Sequence, residues 1–284
     1  MSEFDRPALV QFAQDSISRG SKSFRFASRL FDRTTRERVW LLYAWCRKCD
    51  DMADGQDHGG AMAAVTDPQE SLAAIRTLTA KALAGTPTGE PAFDCLGVVA
   101  RECGITARMA EDVIEGFALD AADWHPRRES DLYQYCYHVA GAVGVMMAVV
   151  MGVPADDDAT LDRACDLGLA FQLANIARDI AEDDAAGRCY LPDDWLATLD
   201  IGPGEHMKPH NRKKLALMGR WLADEAEQYE ASARVGAAQL PLRARWAVLS
   251  AAGIYGEIAR KVRAADSHAW DQRIFTSRPE KFRW

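Results

Sequence analysis

The sequence predicts an all-α protein, on three observations. Apolar residues recur at helical spacing through most of the 284 residues. Capping residues and glycine or proline stops bracket those runs. No stretch alternates apolar and polar residues over a useful strand length. With 48% hydrophobic and 27% charged residues, the composition is globular rather than disordered. The length is enough to bury a sizeable core. No internal repeat or long linker breaks the chain, so a single domain over residues 1–284 is expected.

The elements follow in order. Thr34-Thr35-Arg36-Glu37 has the pattern of a capping box, a hydroxyl followed three residues later by Glu. It opens a helix through Trp40, Tyr43 and Cys46 to about Asp54. Gly55, Gly59 and Gly60 stop that helix and give a loop near 55–66. Helical patterns follow at about 68–84, 91–103 and 106–119. A long helix is predicted over about 130–152, ending at Gly152-Val153-Pro154. It holds the longest apolar run, Val139–Val153. That run is too short to span a bilayer, which takes about 20 residues, and reads as a buried helix. Asp156-Asp157-Asp158 puts negative charge where the dipole of the next helix favours it. That helix runs to about Asp183, a loop is expected near 185–208, and two more helices cover about 209–236 and 242–265.

The net charge of −8 hides a segregation. Residues 1–49 carry 10 Lys/Arg against 5 Asp/Glu, residues 50–204 carry 9 against 28, and residues 205–284 carry 15 against 9. An acidic middle argues against a nucleic-acid partner, which needs a basic face. It suits cations, and the basic flanks suit an anion held by those cations. The seven cysteines are odd in number and irregular in spacing, so a disulfide framework is not expected. Cys46 and Cys49 form one CxxC without the second pair that a four-cysteine zinc site needs, and read as buried thiols. The polar N-terminus lacks a signal-peptide pattern. A cytoplasmic protein is expected.

Two constellations carry chemistry. In Asp50-Asp51-Met52-Ala53-Asp54, Asp50 and Asp54 lie about 40° apart on one helix face, with Tyr43 and Arg47 on the same side. Like charges one turn apart repel, and a cation between them would remove that cost. Alone, such a pair is ordinarily a solvated helix end. The second constellation is more telling. From Leu167 to Asp183 the pattern is apolar nearly all round, which marks a buried helix. Its polar positions Gln172, Asn175, Asp179 and Asp183 fall within an arc of about 80°. Buried amides and carboxylates must be satisfied, by a neighbouring helix or by cations in a hydrated cavity. Two helices that each bring an i,i+4 Asp pair offer hard oxygen ligands. These suit Mg²⁺ or Mn²⁺ with phosphate oxygens, not zinc, and no Glu-x-x-His of the di-iron bundles is present. Both together favour an Mg²⁺–diphosphate site. Lys22, Arg47, Arg178 and Arg188 are candidate anion contacts, and Ser21-Lys22-Ser23-Phe24 stands at a helix start, a place that binds anions. The small residues Gly141 and Gly144 fit either close helix packing or the wall of a hydrocarbon channel. Tyr133, Tyr135 and Tyr137 are either core or rings that steady a carbocation. No GxGxxG fingerprint occurs, and no nicotinamide cofactor is expected.

The segments SKSFRFASRLFD, LLYAWCRKCDDMAD, YCYHVAGAVG, LGLAFQLANIARDIAEDDAAGRCYLP and AWDQR resemble the squalene/phytoene synthase family, on its bacterial phytoene synthase branch. The likeness runs from about residue 20 to the C-terminus. It implies an isoprenoid-synthase-type helical bundle around a central cavity. It implies a Mg²⁺-dependent prenyltransferase that joins two geranylgeranyl diphosphates head to head. The path would run through a cyclopropyl diphosphate, prephytoene diphosphate, to phytoene, the first committed step of carotenoid biosynthesis. It implies Asp50, Asp54, Asn175, Asp179 and Asp183 as metal ligands, supported by Gln172. It places Ser21, Lys22, Ser23, Tyr43, Arg47, Arg178, Arg188 and Tyr255 at the diphosphates, Tyr135 near the reacting carbons, and Val139, Ala140 and Val143 along the prenyl tunnel. The alternatives are a C15-specific squalene, presqualene or dehydrosqualene synthase, a non-catalytic relative that binds lipid or a protein partner, and an unrelated acidic scaffold. An amphiphilic substrate and a very apolar product are compatible with loose attachment to the inner membrane surface.

Overall fold

A computed structural model describes residues 4–20, 28–54, 68–122, 124–277 and 280. Among them no strand forms. The chain divides into two compact units.

The first unit comprises residues 1–123, 145–161 and 239–247. Its helices are α1 (Arg6–Gly20), α2 (Arg33–Asp54), α3 (Pro68–Leu83), α4 (Pro91–Cys103) and α5 (Ala107–Ala121). The predicted loop near 55–66 lies outside the described residues. Helix α1, absent from the sequence-based expectation, buries Leu9, Ala13, Ser16 and Ile17, a single stripe at helical spacing. It packs on α2 and α4. The centre of the unit is made by Val39, Leu41, Leu42 and Trp45 of α2 with Phe93, Leu96 and Val99 of α4. The Trp45 indole N–H donates to the Thr79 hydroxyl of α3 at 3.2 Å, so the ring is buried without an orphaned donor. Arg6 of α1 reaches Glu37 of α2 at 2.7 Å and Glu102 of α4, which also takes Arg38 at 2.9 Å.

The cap of α2 differs from the capping box expected at Thr34. Asp32 accepts from the Thr35 backbone N–H at 3.0 Å and from its hydroxyl at 2.7 Å. Its carbonyl takes the first intrahelical bond, from Arg36 N–H at 2.9 Å. A carboxylate is the stronger acceptor and sits at the positive end of the dipole. Glu37, freed from the cap, pairs with Arg6 and Arg33.

The second unit comprises residues 124–144, 162–238 and 248–284. The helix predicted over 130–152 is broken into α6 (Glu129–Cys136), a π-helical turn over Tyr137–Gly141, and α7 (Ala142–Val150), whose residues from 145 onward belong to the first unit. Helix α8 (Asp158–Ala185) ends close to the expected residue. A short helix, α9 (Asp193–Thr198), interrupts the stretch expected as loop. Helices α10 (Arg212–Gly236) and α11 (Leu242–Ala265) match their predicted ranges. Among the described residues no helix is long and apolar enough to cross a membrane.

Close packing decides the role of the small residues. A Cβ on Gly144 would lie 2.5 Å from the Ala164 carbonyl oxygen of α8, and one on Gly168 would collide with the Ala140 carbonyl. Gly141 and Gly144 therefore serve backbone approach to α8. Val139, Ala140 and Val143 remain half-buried beside them. Trp270 locks the far side of α8, its indole N–H donating to the Ala177 carbonyl at 2.9 Å.

Gly168→Ala is expected to destabilise the protein by about 1–3 kcal/mol, the usual cost of overpacking. Thermal melting checks this, at about 2–4 °C for each kcal/mol.

Candidate active site

In the first unit, α2 brings Tyr43, Arg47, Asp50 and Asp54 to its C-terminal half. Arg47 Nη1 meets Asp50 Oδ2 at 2.9 Å, and Nη2 meets Asp51 Oδ1 at 2.7 Å. The Asp51 side chain is only 9% exposed, against 40% for Asp50. Asp51 thus anchors the guanidinium while Asp50 keeps one edge toward solvent. Asp51 was not singled out from the sequence; its place opposite an Arg four residues earlier was the available signal. Asp54 is the last residue of the helix. Burial pushes the Tyr43 hydroxyl up, with Arg47 opposing. That hydroxyl packs so closely on the end of α1 that a Cβ on Gly20 would strike it. Ser21, Lys22 and Ser23 lie outside the described residues.

In the second unit, α8 carries the predicted stripe. Leu173, Ala174, Ile176, Ala177 and Ile180 are buried, whereas Gln172, Asn175, Asp179 and Asp183 are half-buried. Arg178 grips Asp179 with two hydrogen bonds, Nε to Oδ1 at 2.7 Å and Nη2 to Oδ2. Arg273 adds a contact from Nη2 to the same Oδ1 at 3.1 Å and approaches Glu182 at 3.8 Å. Arg273 is the arginine of AWDQR, a segment quoted for its resemblance without a role for this residue. Burial first, and the Asp179 charge second, push the Asp183 carboxyl up to about 6; Arg188 opposes the shift. The backbone turn after α8 holds Arg188 in place, its N–H donating to the Asp183 carbonyl at 2.8 Å.

Asn175 supplies the sharpest observation. Its Oδ1 is buried and accepts no hydrogen bond. An orphaned buried acceptor costs about 1–3 kcal/mol. On the same stripe stand a carboxyl raised by burial and by a neighbouring acid, and a carboxylate held by two arginines. All are oxygen donors, the set a hard divalent cation takes together with waters and phosphate oxygens. Among the described residues no three acidic, imidazole or thiol groups converge on one point. Ligands of this kind complete their shell with the anion itself. The donor set therefore fits a hard divalent cation.

The remaining candidates are aromatic. Tyr135 is 4% exposed and stacks between Trp124 and Tyr190, with ring centroids 5.1 and 5.0 Å away. Tyr255 stacks on Phe171 of α8 at 4.1 Å. Trp124 and Tyr190 had no sequence signal of their own. The seven cysteines are free thiols, and burial pushes Cys46 up to about 12 and Cys49 well above its ordinary value, so the CxxC stays protonated near neutral pH.

A family model described as squalene/phytoene synthase matches residues 17–280. The chain belongs to the squalene/phytoene synthase family. It is 48% identical over 278 residues to a phytoene synthase from Pseudescherichia vulneris, covering 97% of this chain and 89% of the relative. It is 47% identical over 279 residues to a 15-cis-phytoene synthase from Pantoea ananas, covering 98% and 90%. Among solved structures, a dehydrosqualene synthase in complex with ligand matches with a TM-score of 0.84 at 27% identity, over 98% of this chain and 94% of that one. The all-α, isoprenoid-synthase-type fold expected from the sequence is borne out.

The raised carboxyl gives a signed pH dependence. With a folded-state value near 6 against 3.8 ordinarily, the fold favours protonated Asp183. That stabilisation is complete below about pH 4 and is lost as pH rises through about 6. In metal-free buffer, Asp183→Asn is expected to melt higher than the parent at pH 7.5, with the gap closing toward pH 4. Melting curves at several pH values in chelator check this.

Proposed function

We propose that this chain condenses two molecules of geranylgeranyl diphosphate head to head, through prephytoene diphosphate, to phytoene. This is the first committed step of carotenoid biosynthesis. The observation that carries the reading is the α8 stripe, where Asn175 Oδ1 stands buried and unpartnered on the same face as Asp183, whose carboxyl burial pushes up to about 6. Nearly half identity to phytoene synthases over almost the full chain supports the C20 substrate over the C15 alternatives.

Asn175, Asp179 and Asp183 of the second unit would hold Mg²⁺ or Mn²⁺ with support from Gln172, and Asp50 and Asp54 of the first unit would likewise serve as metal ligands. Such ions would supply Lewis-acid neutralisation of diphosphate charge. Arg47, Arg178, Arg188, Tyr43, Tyr255 and the Ser21-Lys22-Ser23 segment bind diphosphate oxygens. Their charge and hydrogen bonds stabilise the leaving group as the C1–O bond of the first substrate breaks. The C2=C3 double bond of the second substrate attacks the allylic cation. Loss of one proton closes the cyclopropane. The second diphosphate then departs, the ring rearranges, and loss of a second proton gives the hydrocarbon. Two diphosphates and two protons leave, so the balance requires no reductant. Both ring faces of Tyr135 are taken by its stacked neighbours, so in this reading it meets the reacting carbons through its hydroxyl edge. Val139, Ala140 and Val143 shed water that would trap a cation.

The enzyme works in the cytoplasm, with loose attachment to the inner membrane surface as the route for an apolar product.

Incubation of purified protein with geranylgeranyl diphosphate, followed by hydrocarbon analysis, is expected to give phytoene only when Mg²⁺ is added. Turnover of C15 farnesyl diphosphate alone would reject the reading. Asp50→Asn and Asp179→Asn should each lower kcat/KM about 100-fold or more, ~3 kcal/mol of transition-state stabilisation.

A further inference from the structure

His206 is a buried titratable group that this mechanism does not use. Its side chain is 3% exposed. It is presented by a tight turn after α9, tied by Glu205 N–H to the Gly202 carbonyl at 3.0 Å and by the Asn211 amide to the Glu205 carbonyl at 2.9 Å. Nε2 lies 3.3 Å from Asp184 Oδ1, one residue beyond Asp183. Nδ1 is buried and makes no hydrogen bond within the protein. Burial pulls the imidazole below its ordinary value despite Asp184, so the neutral ring is favoured. With Nε2–H donating to Asp184, Nδ1 is left as an acceptor.

His206 borders a small cavity of about 10 Å³ that Asp183, Arg188 and Tyr190 also line, the rest of its wall being mainly apolar. One water molecule takes that much space and requires two to four polar partners. The hydrogen-bond roles balance. A water placed there would donate one proton to Nδ1 and the other to the Asp183 carboxylate, and would accept from the Arg188 guanidinium.

We propose that His206 is a positioning residue that binds a structural water in this cavity and, through it and Asp184, holds Asp183 and Arg188 in the orientation that receives metal and diphosphate. This rests on the functional reading above. It goes beyond that reading because His206 itself touches neither metal nor substrate. An imidazole serves where an aliphatic side chain would not: it fills the apolar wall, anchors one acid and offers a lone pair to the cavity.

The test is calorimetric titration of Mg²⁺ into the full chain with inorganic diphosphate present, alongside steady-state kinetics and melting. His206→Phe keeps an aromatic ring but removes both polar atoms. It is expected to weaken Mg²⁺ binding about 10-fold and to raise the Mg²⁺ needed for half-maximal rate by a similar factor. His206→Asn, which returns a polar atom near Nδ1, is expected to recover most of this. Unchanged Mg²⁺ binding in His206→Phe, or equal losses in both variants, would overturn the proposal. Asp179→Asn is the control: if it loses Mg²⁺ binding while His206→Phe does not, the positioning role fails and the functional reading stands; if neither changes, the functional reading itself fails. Should His206→Phe not fold, a high-resolution crystal structure of the parent decides. An ordered water bonded to Nδ1 and Asp183 supports the proposal, and a dry cavity overturns it.

Discussion

A helix buried on nearly every side cannot carry amides and carboxylates along one stripe without a reason. Helix α8 does so. Leu173, Ala174, Ile176, Ala177 and Ile180 bury its apolar faces. The surrounding chain is shaped to bring that helix in close. Gly144 and Gly168 let the backbone of the preceding segment approach it, and Trp270 donates into its carbonyl ladder. Packing thereby fixes the direction of the stripe. The polar residues are left to find their partners in a poorly solvated setting, where an unpaired group is costly.

The protein meets that cost only in part. Arg178 and Arg273 neutralise Asp179, and Arg47 neutralises Asp50 and Asp51. Asn175 Oδ1 remains without a partner, and the Asp183 carboxyl stays raised by burial. Incomplete satisfaction is what a site for a charged ligand looks like before the ligand arrives. It stores no special strain; it leaves donor capacity that a divalent cation and a polyanion together can use.

Much of this was legible in the residues. The period of the α8 stripe follows from Gln172, Asn175, Asp179 and Asp183 alone, because helical spacing is rigid. Long helices such as α10 and α11 announced themselves by their length. What escaped had weak local signals. Helix α1 buries a serine within its stripe, which blurs the apolar period. Helix α9 has six residues, too few to show any period. The π turn at Tyr137–Gly141 arises within a run whose composition favours an unbroken helix. Asp32 outcompeted Thr34 as cap because a carboxylate outbids a hydroxyl at a helix start. Arg273 and His206 reach the end of α8 from about 90 and 20 residues away in sequence, and no spacing rule spans such loops.

The central claim is that the α8 stripe is a metal–diphosphate cradle. Its most direct test is a crystal soaked with Mn²⁺ and a non-cleavable geranylgeranyl diphosphate mimic, with anomalous scattering recorded at the manganese edge. The account predicts manganese peaks within coordination distance of Asp179, Asp183 and Asn175 oxygens, each ion shared with the diphosphate. A bound mimic with no manganese at those oxygens would contradict it.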